Sequence, residues 1–145
     1  MNSLPDPAVA FKNADLVVDE LHRLHGESWR ILGYCVMPDH VHILALNAKG
    51  SLLEFMRLLK GRLTRGLRGS IAGSVWQRSF HDHLIRRDED IAATLQYLLE
   101  NPVRAGLVHD WTHYPWSGSL HWPGIDPEFF AVKPSDILWN EIFAL

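Results

Sequence analysis

The chain has 145 residues, of which 47% are hydrophobic, so it is long enough to form one domain around a core. Its single cysteine, Cys35, excludes an internal disulfide, and no run of about 18 apolar residues indicates a membrane span. The net charge of -3 would ordinarily argue against a nucleic-acid partner, but the charge is unevenly distributed. Because residues 1–7 lack the features of a signal peptide, we expect a cytoplasmic protein.

The first predicted elements are a helix and two strands. The helix covers residues 6–25, with Asp6-Pro7 as its cap and first turn and Gly26 as its end. Two largely apolar segments, residues 28–37 and 40–46, predict strands. Both faces of the second strand are largely apolar, so we expect it in the interior of a sheet.

A second helix is predicted from residue 52 to 67, where apolar residues recur at three- and four-residue steps after a capping box of Ser51 and Glu54. On a helix with about 100° per residue, four basic residues fall within one arc roughly opposite the apolar side: Arg57, Lys60, Arg65 and Arg68. Residues 49–87 hold nine Lys or Arg against two acidic residues, a net charge of +7. This charge predicts either a surface that binds a polyanion or an ordinary solvated helix face.

The remaining predicted elements are one or two strands within residues 75–87 and a helix from residue 88 to about 101, ended by Pro102. After this helix, prolines and aromatic residues such as Trp111 and Tyr114 predict irregular chain that wraps over the domain. The order of helices and strands indicates an α/β (α+β) fold with one sheet. We expect a single domain over residues 1–145, with its core at about 6–120 and a C-terminal extension at 121–145.

His40 and His42 form the first pattern with chemical content. Two residues apart on a strand, they project from the same face and can bind one metal ion. The alternative is a structural pair, whose imidazoles would need hydrogen-bond partners. A second pair, His81 and His83, is an alternative metal site. A nucleotide hydrolase with an H-x-H-x-H loop is a further alternative, but Leu44 stands where its third histidine would lie.

Tyr97 and Asn101 form the second pattern. The helix that carries them has an apolar stripe of Ile91, Leu95, Leu98 and Leu99. On a helical wheel Asn101 lies roughly 40° from Tyr97, and Tyr97 lies at the border of the stripe. A tyrosine there can expose its hydroxyl, and an amide one turn later can join it at a metal ion, which suits attack on phosphorus. The alternative is a packed core tyrosine followed by a helix-ending Asn.

Four blocks follow one another in the chain: residues 34–44 (YCVMPDHVHIL), 75–83 (VWQRSFHDH), 97–108 (YLLENPVRAGLV) and 114–117 (YPWS). In order and spacing they closely resemble the REP-associated tyrosine transposases, members of the single-tyrosine HUH transposase (insertion-sequence transposase-like) family. The resemblance spans about residues 6–120. It implies an HUH endonuclease fold, which is a ferredoxin-like antiparallel sheet with helices packed on it.

The resemblance also implies a site and a reaction. His40 and His42 match the metal ligands of the HUH motif, Tyr97 matches the nucleophile, and Asn101 stands where the family has a third ligand. The implied cofactor is Mg²⁺ or Mn²⁺. The implied substrate is single-stranded, hairpin (REP-like) DNA, cut through a 5′-phosphotyrosine intermediate by a monomer or homodimer that is not membrane-bound. The basic residues expected to position the DNA are Arg57, Lys60, Arg65, Arg68, Arg86 and Arg87.

The beginning of the chain departs from the family's pattern. Members usually have an additional strand before the first helix, which pairs beside the HUH strand, and residues 1–7 are too short for it. We therefore expect the usual first strand to be lacking, through a gene start set too late, a decayed copy, or replacement by another segment. The alternative function is a non-catalytic, domesticated or decayed protein that binds hairpin DNA.

Overall fold

The computed structural model describes residues 7–26, 29–38, 40–47, 52–66 and 91–131. Several predicted features lie outside the described residues: the caps Asp6 and Ser51, the strands within 75–87, His81 and His83, and the basic residues Arg68, Arg86 and Arg87. In the described part of the chain, helices pack on an antiparallel sheet, which confirms the predicted fold class. No described helix is both long and apolar enough to cross a membrane.

The elements follow one another in the predicted order, with additions near the C-terminal end. They are α1 (Pro7–Leu24), β1 (Trp29–Val36), β2 (Val41–Asn47), α2 (Leu52–Gly66), α3 (Ile91–Leu99), α4 (Asn101–Arg104), a 3-10 helix (Trp111–His113), β3 (Ser117–Gly118) and α5 (Pro127–Ala131). Gly26, just beyond α1, has a φ of 110°, a conformation that glycine adopts at little cost. The short elements after α4 were not predicted, because each is only a few residues long.

The described sheet has three antiparallel strands in the order β2-β1-β3. Tyr34 of β1 pairs with Ile43 of β2 on one side and with Gly118 of β3 on the other. Among these strands β1 is therefore the central one and β2 lies at an edge. The strands predicted within residues 75–87 lie outside the described residues, so the position of β2 in the interior of the whole sheet stays a prediction.

Helices cover the two faces of the sheet and create two cores. We call the side of α1 and α2 the first face: Tyr34, Val36 and Val41 point into it and meet apolar residues of both helices. We call the side of α3 the second face, where Cys35 and Leu44 are buried against that helix. This division follows from the alternation of side chains along a strand.

Gly33 allows α3 to approach the sheet closely. A Cβ atom at this position would lie 2.2 Å from Cδ1 of Leu95, a fully buried residue in the middle of α3. A side chain on β1 at this point would therefore push the helix away from the strand. The stripe predicted for α3, formed by Ile91, Leu95, Leu98 and Leu99, is buried as expected.

The chain after α4 is held to the domain by aromatic residues, as predicted. The Tyr114 hydroxyl donates a hydrogen bond of 2.6 Å to the carbonyl oxygen of Val36. The Trp116 Nε1–H donates one of 2.8 Å to Asp15 on α1. Trp122 and Phe129 pack against the second core, so part of the expected C-terminal extension covers the same face as α3.

Candidate active site

His40 and His42 lie at the start of β2, and their rings are in contact. The ring centroids are 4.8 Å apart, with an angle of 87° between the planes. The Met37 N–H donates a hydrogen bond of 2.8 Å to the carbonyl oxygen of His40, which closes the turn between β1 and β2. His42 is exposed and His40 is half-buried, so the pair is open to solvent rather than sealed in a core.

The imidazole of His42 belongs to the second face of the sheet. Its neighbours Val41 and Ile43 pack in the first core, whereas Leu44, two residues further, is buried beneath α3. Because strand side chains alternate, His42 projects from the same face as Leu44. The paired imidazoles are therefore on the side of the sheet that carries α3.

Tyr97 projects outward from α3. Its side chain is 66% exposed, although Leu98 beside it is buried. This excludes the alternative of a packed core tyrosine. The other two tyrosines of the chain, Tyr34 and Tyr114, are 7% and 5% exposed, and burial raises the pKa of each phenol. Tyr97 is thus the tyrosine whose hydroxyl a large substrate can reach.

The lone cysteine is a poor nucleophile in this environment. Cys35 is fully buried on β1, and burial raises the pKa of its thiol to about 12, although the charge of Arg104 acts in the opposite direction. A thiol with such a pKa stays protonated near neutral pH, so it offers no thiolate. This leaves Tyr97 as the stronger candidate on this face.

The helix that carries Tyr97 ends earlier than predicted. It ends at Leu99, and Asn101 begins the separate helix α4, with Pro102 in its first turn. Proline is tolerated at that position because the first turn needs no N–H donor, so Pro102 lies inside a new helix rather than ending the old one. Asn101 is half-buried, and its carbonyl oxygen accepts the Ala105 N–H at 3.0 Å.

Arg104 contacts Tyr97 and was missed by the sequence analysis. Its guanidinium carbon lies 3.6 Å from the centroid of the Tyr97 ring, and its Nη2–H donates a hydrogen bond of 2.6 Å to the Tyr97 carbonyl oxygen. Helical spacing did not indicate this contact, because it crosses the break between α3 and α4.

The structure brings together the two histidines, and it brings Arg104 to Tyr97. Among the described residues, the ring contacts include none between Tyr97 and either histidine. No cluster of three His, Cys, Asp or Glu side chains occurs in the described part of the chain. The role of the Asn101 amide as a third ligand for the histidine pair stays a prediction.

A basic groove lies between α1 and α2, over the first core. It has a volume of about 710 Å³ and is lined by Glu20, Arg23, Arg62 and Arg65. Glu20 forms ion pairs with Arg23 and with Arg62, the latter at 3.7 Å. Three arginines against one glutamate leave the groove positive.

The groove differs in part from the predicted basic arc. Arg57 and Arg65 are exposed and Lys60 is half-buried, as a solvent-facing arc requires. Arg23 and Arg62 were not predicted to belong to it, because Arg62 lies beside the apolar stripe of α2 and Arg23 is on another helix. The helical wheel of α2 alone could not show that two helices share one positive surface.

The comparisons with known proteins agree with one another. The sequence profile of a family described as "Transposase IS200 like" matches residues 21–101. A Haemophilus influenzae protein, provisionally named a REP-associated tyrosine transposase, is 34% identical over 100 residues, covering 60% of this chain and 56% of that protein. The REP-associated tyrosine transposase of Escherichia coli is 28% identical over 93 residues, covering 61% of this chain and 53% of that protein. The chain thus spans little more than half the length of these relatives, and no solved structure matches it significantly.

Proposed function

Because the chain belongs to the IS200-like transposase family, we propose that it nicks and rejoins single-stranded, hairpin-containing DNA through a 5′-phosphotyrosine intermediate at Tyr97. The observation that carries this proposal is the exposure of Tyr97, 66%, on the face of the sheet that also carries the paired imidazoles. Transposases cut DNA, and a nicking enzyme needs an accessible nucleophile.

The histidine pair suits a divalent cation. With metal–nitrogen bonds of about 2.1 Å, two imidazole rings on one ion come roughly 5 Å apart. The 4.8 Å between the rings of His40 and His42 agrees with this. We propose that these two side chains, together with the amide of Asn101, hold Mg²⁺ or Mn²⁺, which would stabilise negative charge on the phosphoryl oxygens.

The proposed reaction requires little of the protein beyond position and charge. The Tyr97 oxygen attacks the phosphorus atom of a phosphodiester, and its proton is lost to solvent or to a neighbouring base. The bond between phosphorus and the 3′ oxygen breaks, and that oxygen leaves with a proton as a 3′ hydroxyl. The downstream strand stays attached through its 5′ phosphate, and attack by another 3′ hydroxyl reverses the step without an external energy source.

The positive surface of α1 and α2 provides a second contact for the DNA. Phosphates that bind Arg57, Lys60 and the arginines of the groove would release counterions, so affinity should fall as salt rises. Because this surface covers the first face and Tyr97 belongs to the second, the bound strand would pass around an edge of the sheet or reach the tyrosine of another subunit.

The test is covalent capture with DNA labelled at either end. The protein is mixed with Mn²⁺ and a DNA hairpin flanked by single strands of randomised sequence, then denatured and separated by electrophoresis. The proposal predicts an adduct that carries a 3′ label but not a 5′ label, that needs the metal, and that is absent in Tyr97→Phe. Hairpin binding without any adduct would instead support the non-catalytic alternative.

A further inference from the structure

We propose that Arg104 is a positioning residue for the attack by Tyr97: it holds the phenol ring in one orientation and attracts the phosphate to it. The inference rests on the proposed function, because it assigns a role within the same reaction. It starts from the two contacts that Arg104 makes to Tyr97, one to the ring at 3.6 Å and one to the carbonyl oxygen at 2.6 Å.

Arg104 limits the conformational freedom of the Tyr97 side chain. A side chain that is 66% exposed would ordinarily change rotamer rapidly, and each change would move its hydroxyl by several ångströms. A guanidinium stacked on one face of the ring favours a single rotamer. Because Arg104 is also fixed to the main chain of the same residue, ring and guanidinium form one unit.

The break between α3 and α4 makes this contact possible. Tyr97 is among the last four residues of α3, whose carbonyl groups lack partners within the helix. The break at Glu100 and the short helix α4 bring Arg104 to the carbonyl group of Tyr97. Arg104 therefore completes the end of the helix on which the nucleophile is carried.

Arg104 also places a positive charge beside the Tyr97 ring. Arg104 is exposed, and a guanidinium has five N–H donors, so donors remain after the bond to the carbonyl oxygen. A phosphate that approaches the Tyr97 hydroxyl therefore meets a fixed positive charge next to the ring. One planar guanidinium group can bind two oxygens of the same phosphate at once, a geometry that lysine cannot reproduce.

The experiment compares Arg104→Ala and Arg104→Lys with a matched control, Gln96→Ala. Gln96 is the exposed neighbour of Tyr97, and its side chain bonds to Glu100 rather than to the tyrosine. Adduct formation is followed at saturating DNA in a single turnover, and hairpin affinity and thermal stability are measured in parallel. Misplacement of a reacting group by an ångström costs about 100-fold in rate, so we expect a loss of that size in Arg104→Ala.

The variants are expected to separate positioning from folding. Arg104→Lys should keep part of the rate of adduct formation because lysine keeps the positive charge. Free guanidinium ions added to Arg104→Ala should restore part of its rate. Gln96→Ala should behave like the unchanged protein. A rate in Arg104→Ala within about twofold of the unchanged protein overturns the proposal. The proposal is also overturned if the adduct rate falls only in proportion to thermal stability and free guanidinium does not restore it. Arg104 would then act only as a cap of the helix.

A second readout does not depend on activity. Fluorine NMR of protein labelled with fluorotyrosine gives one signal per tyrosine, and the Tyr97 signal is the one lost in Tyr97→Phe. We expect Arg104→Ala, but not Gln96→Ala, to shift and sharpen that signal, because the ring gains rotational freedom. An unchanged signal overturns the inference. If the unchanged protein forms no adduct although the Tyr97 signal shifts in Arg104→Ala, the proposed function is refuted, and with it the role of Arg104 in the attack. The contact between Arg104 and the Tyr97 ring would then still be established.

Discussion

The two faces of the sheet differ in how they are covered and in what they expose. The first face is covered by α1 and α2, helices of 18 and 15 residues, and the groove between them exposes arginines. The second face is covered by α3, a helix of 9 residues, and by aromatic chain after α4, and it carries Tyr97 and the paired imidazoles. In the proposed function, the first face binds the DNA backbone and the second face breaks the bond, so variants of the two faces should affect different measurements.

The largest effect is expected from the histidines of the second face. His40→Ala and His42→Ala should each reduce adduct formation at saturating DNA by roughly 100-fold or more, because a cation with one imidazole fewer binds weakly. Hairpin affinity should change little. His109→Ala, an exposed histidine beyond α4, is the control and should keep its full rate. Full activity in both variants, with loss in variants of His81 and His83, would move the metal site to that pair.

A smaller effect, on affinity rather than rate, is expected from the first face. Replacing Arg57 and Arg65 by Glu should weaken hairpin binding by about 10-fold or more and lower the slope of log affinity against log salt by about one per lost phosphate contact. The adduct rate at saturating DNA should stay the same. Arg30→Glu, at an exposed position on β1, reverses a charge outside this surface and should not change affinity. Unchanged affinity in the Arg57 and Arg65 variant would leave α2 as an ordinary solvated face.

Substitutions of two glycines test how closely the helices pack, one where α3 contacts the sheet and one on the exposed side of α2. Gly33→Ala should destabilise the protein by about 1–3 kcal/mol, because the added methyl group would collide with Leu95 beneath α3. Gly61→Ala, on the exposed side of α2 with nothing within 4 Å of the added atom, should stabilise it by about 0.5–1 kcal/mol. Denaturant unfolding measures both. A neutral Gly33→Ala would mean that α3 can move away from the sheet at little cost.

The smallest effect is expected at the end of α1. The Ile31 N–H donates a hydrogen bond of 2.9 Å to Nδ1 of His25, which must be unprotonated to accept it. Burial, and then the charges of His121, Arg30 and His22, lower the pKa of His25 below its ordinary 6.5.

The sign of the pH effect follows from that direction. The unfolded chain takes up the proton first, so this contribution to stability is complete above pH 6.5 and is lost as the pH falls toward the pKa of the folded state. We expect His25→Gln to unfold with a weaker dependence on pH below 6.5, at a cost of about 1 kcal/mol near neutral pH. Identical pH profiles for the two proteins would exclude a contribution from His25.

Local patterns were enough to predict much of this arrangement. Helical periodicity predicted the buried stripe of α3 and placed Tyr97 at its border, and strand alternation predicted that His40 and His42 lie on one face. What the sequence did not predict depends on contacts between elements. Arg104 reaches Tyr97 across a helix break, Arg62 reaches Glu20 on another helix, and β3 is held by its pairing with β1.

The most direct test of the central claim is to identify the residue that holds the DNA. The adduct formed with Mn²⁺ is digested with protease and nuclease, and the modified peptide is sequenced by mass spectrometry. We predict a single nucleotide, attached through its 5′ phosphate, on the phenol oxygen of Tyr97. A nucleotide on Tyr34, Tyr114 or any residue other than Tyr97 would contradict the account.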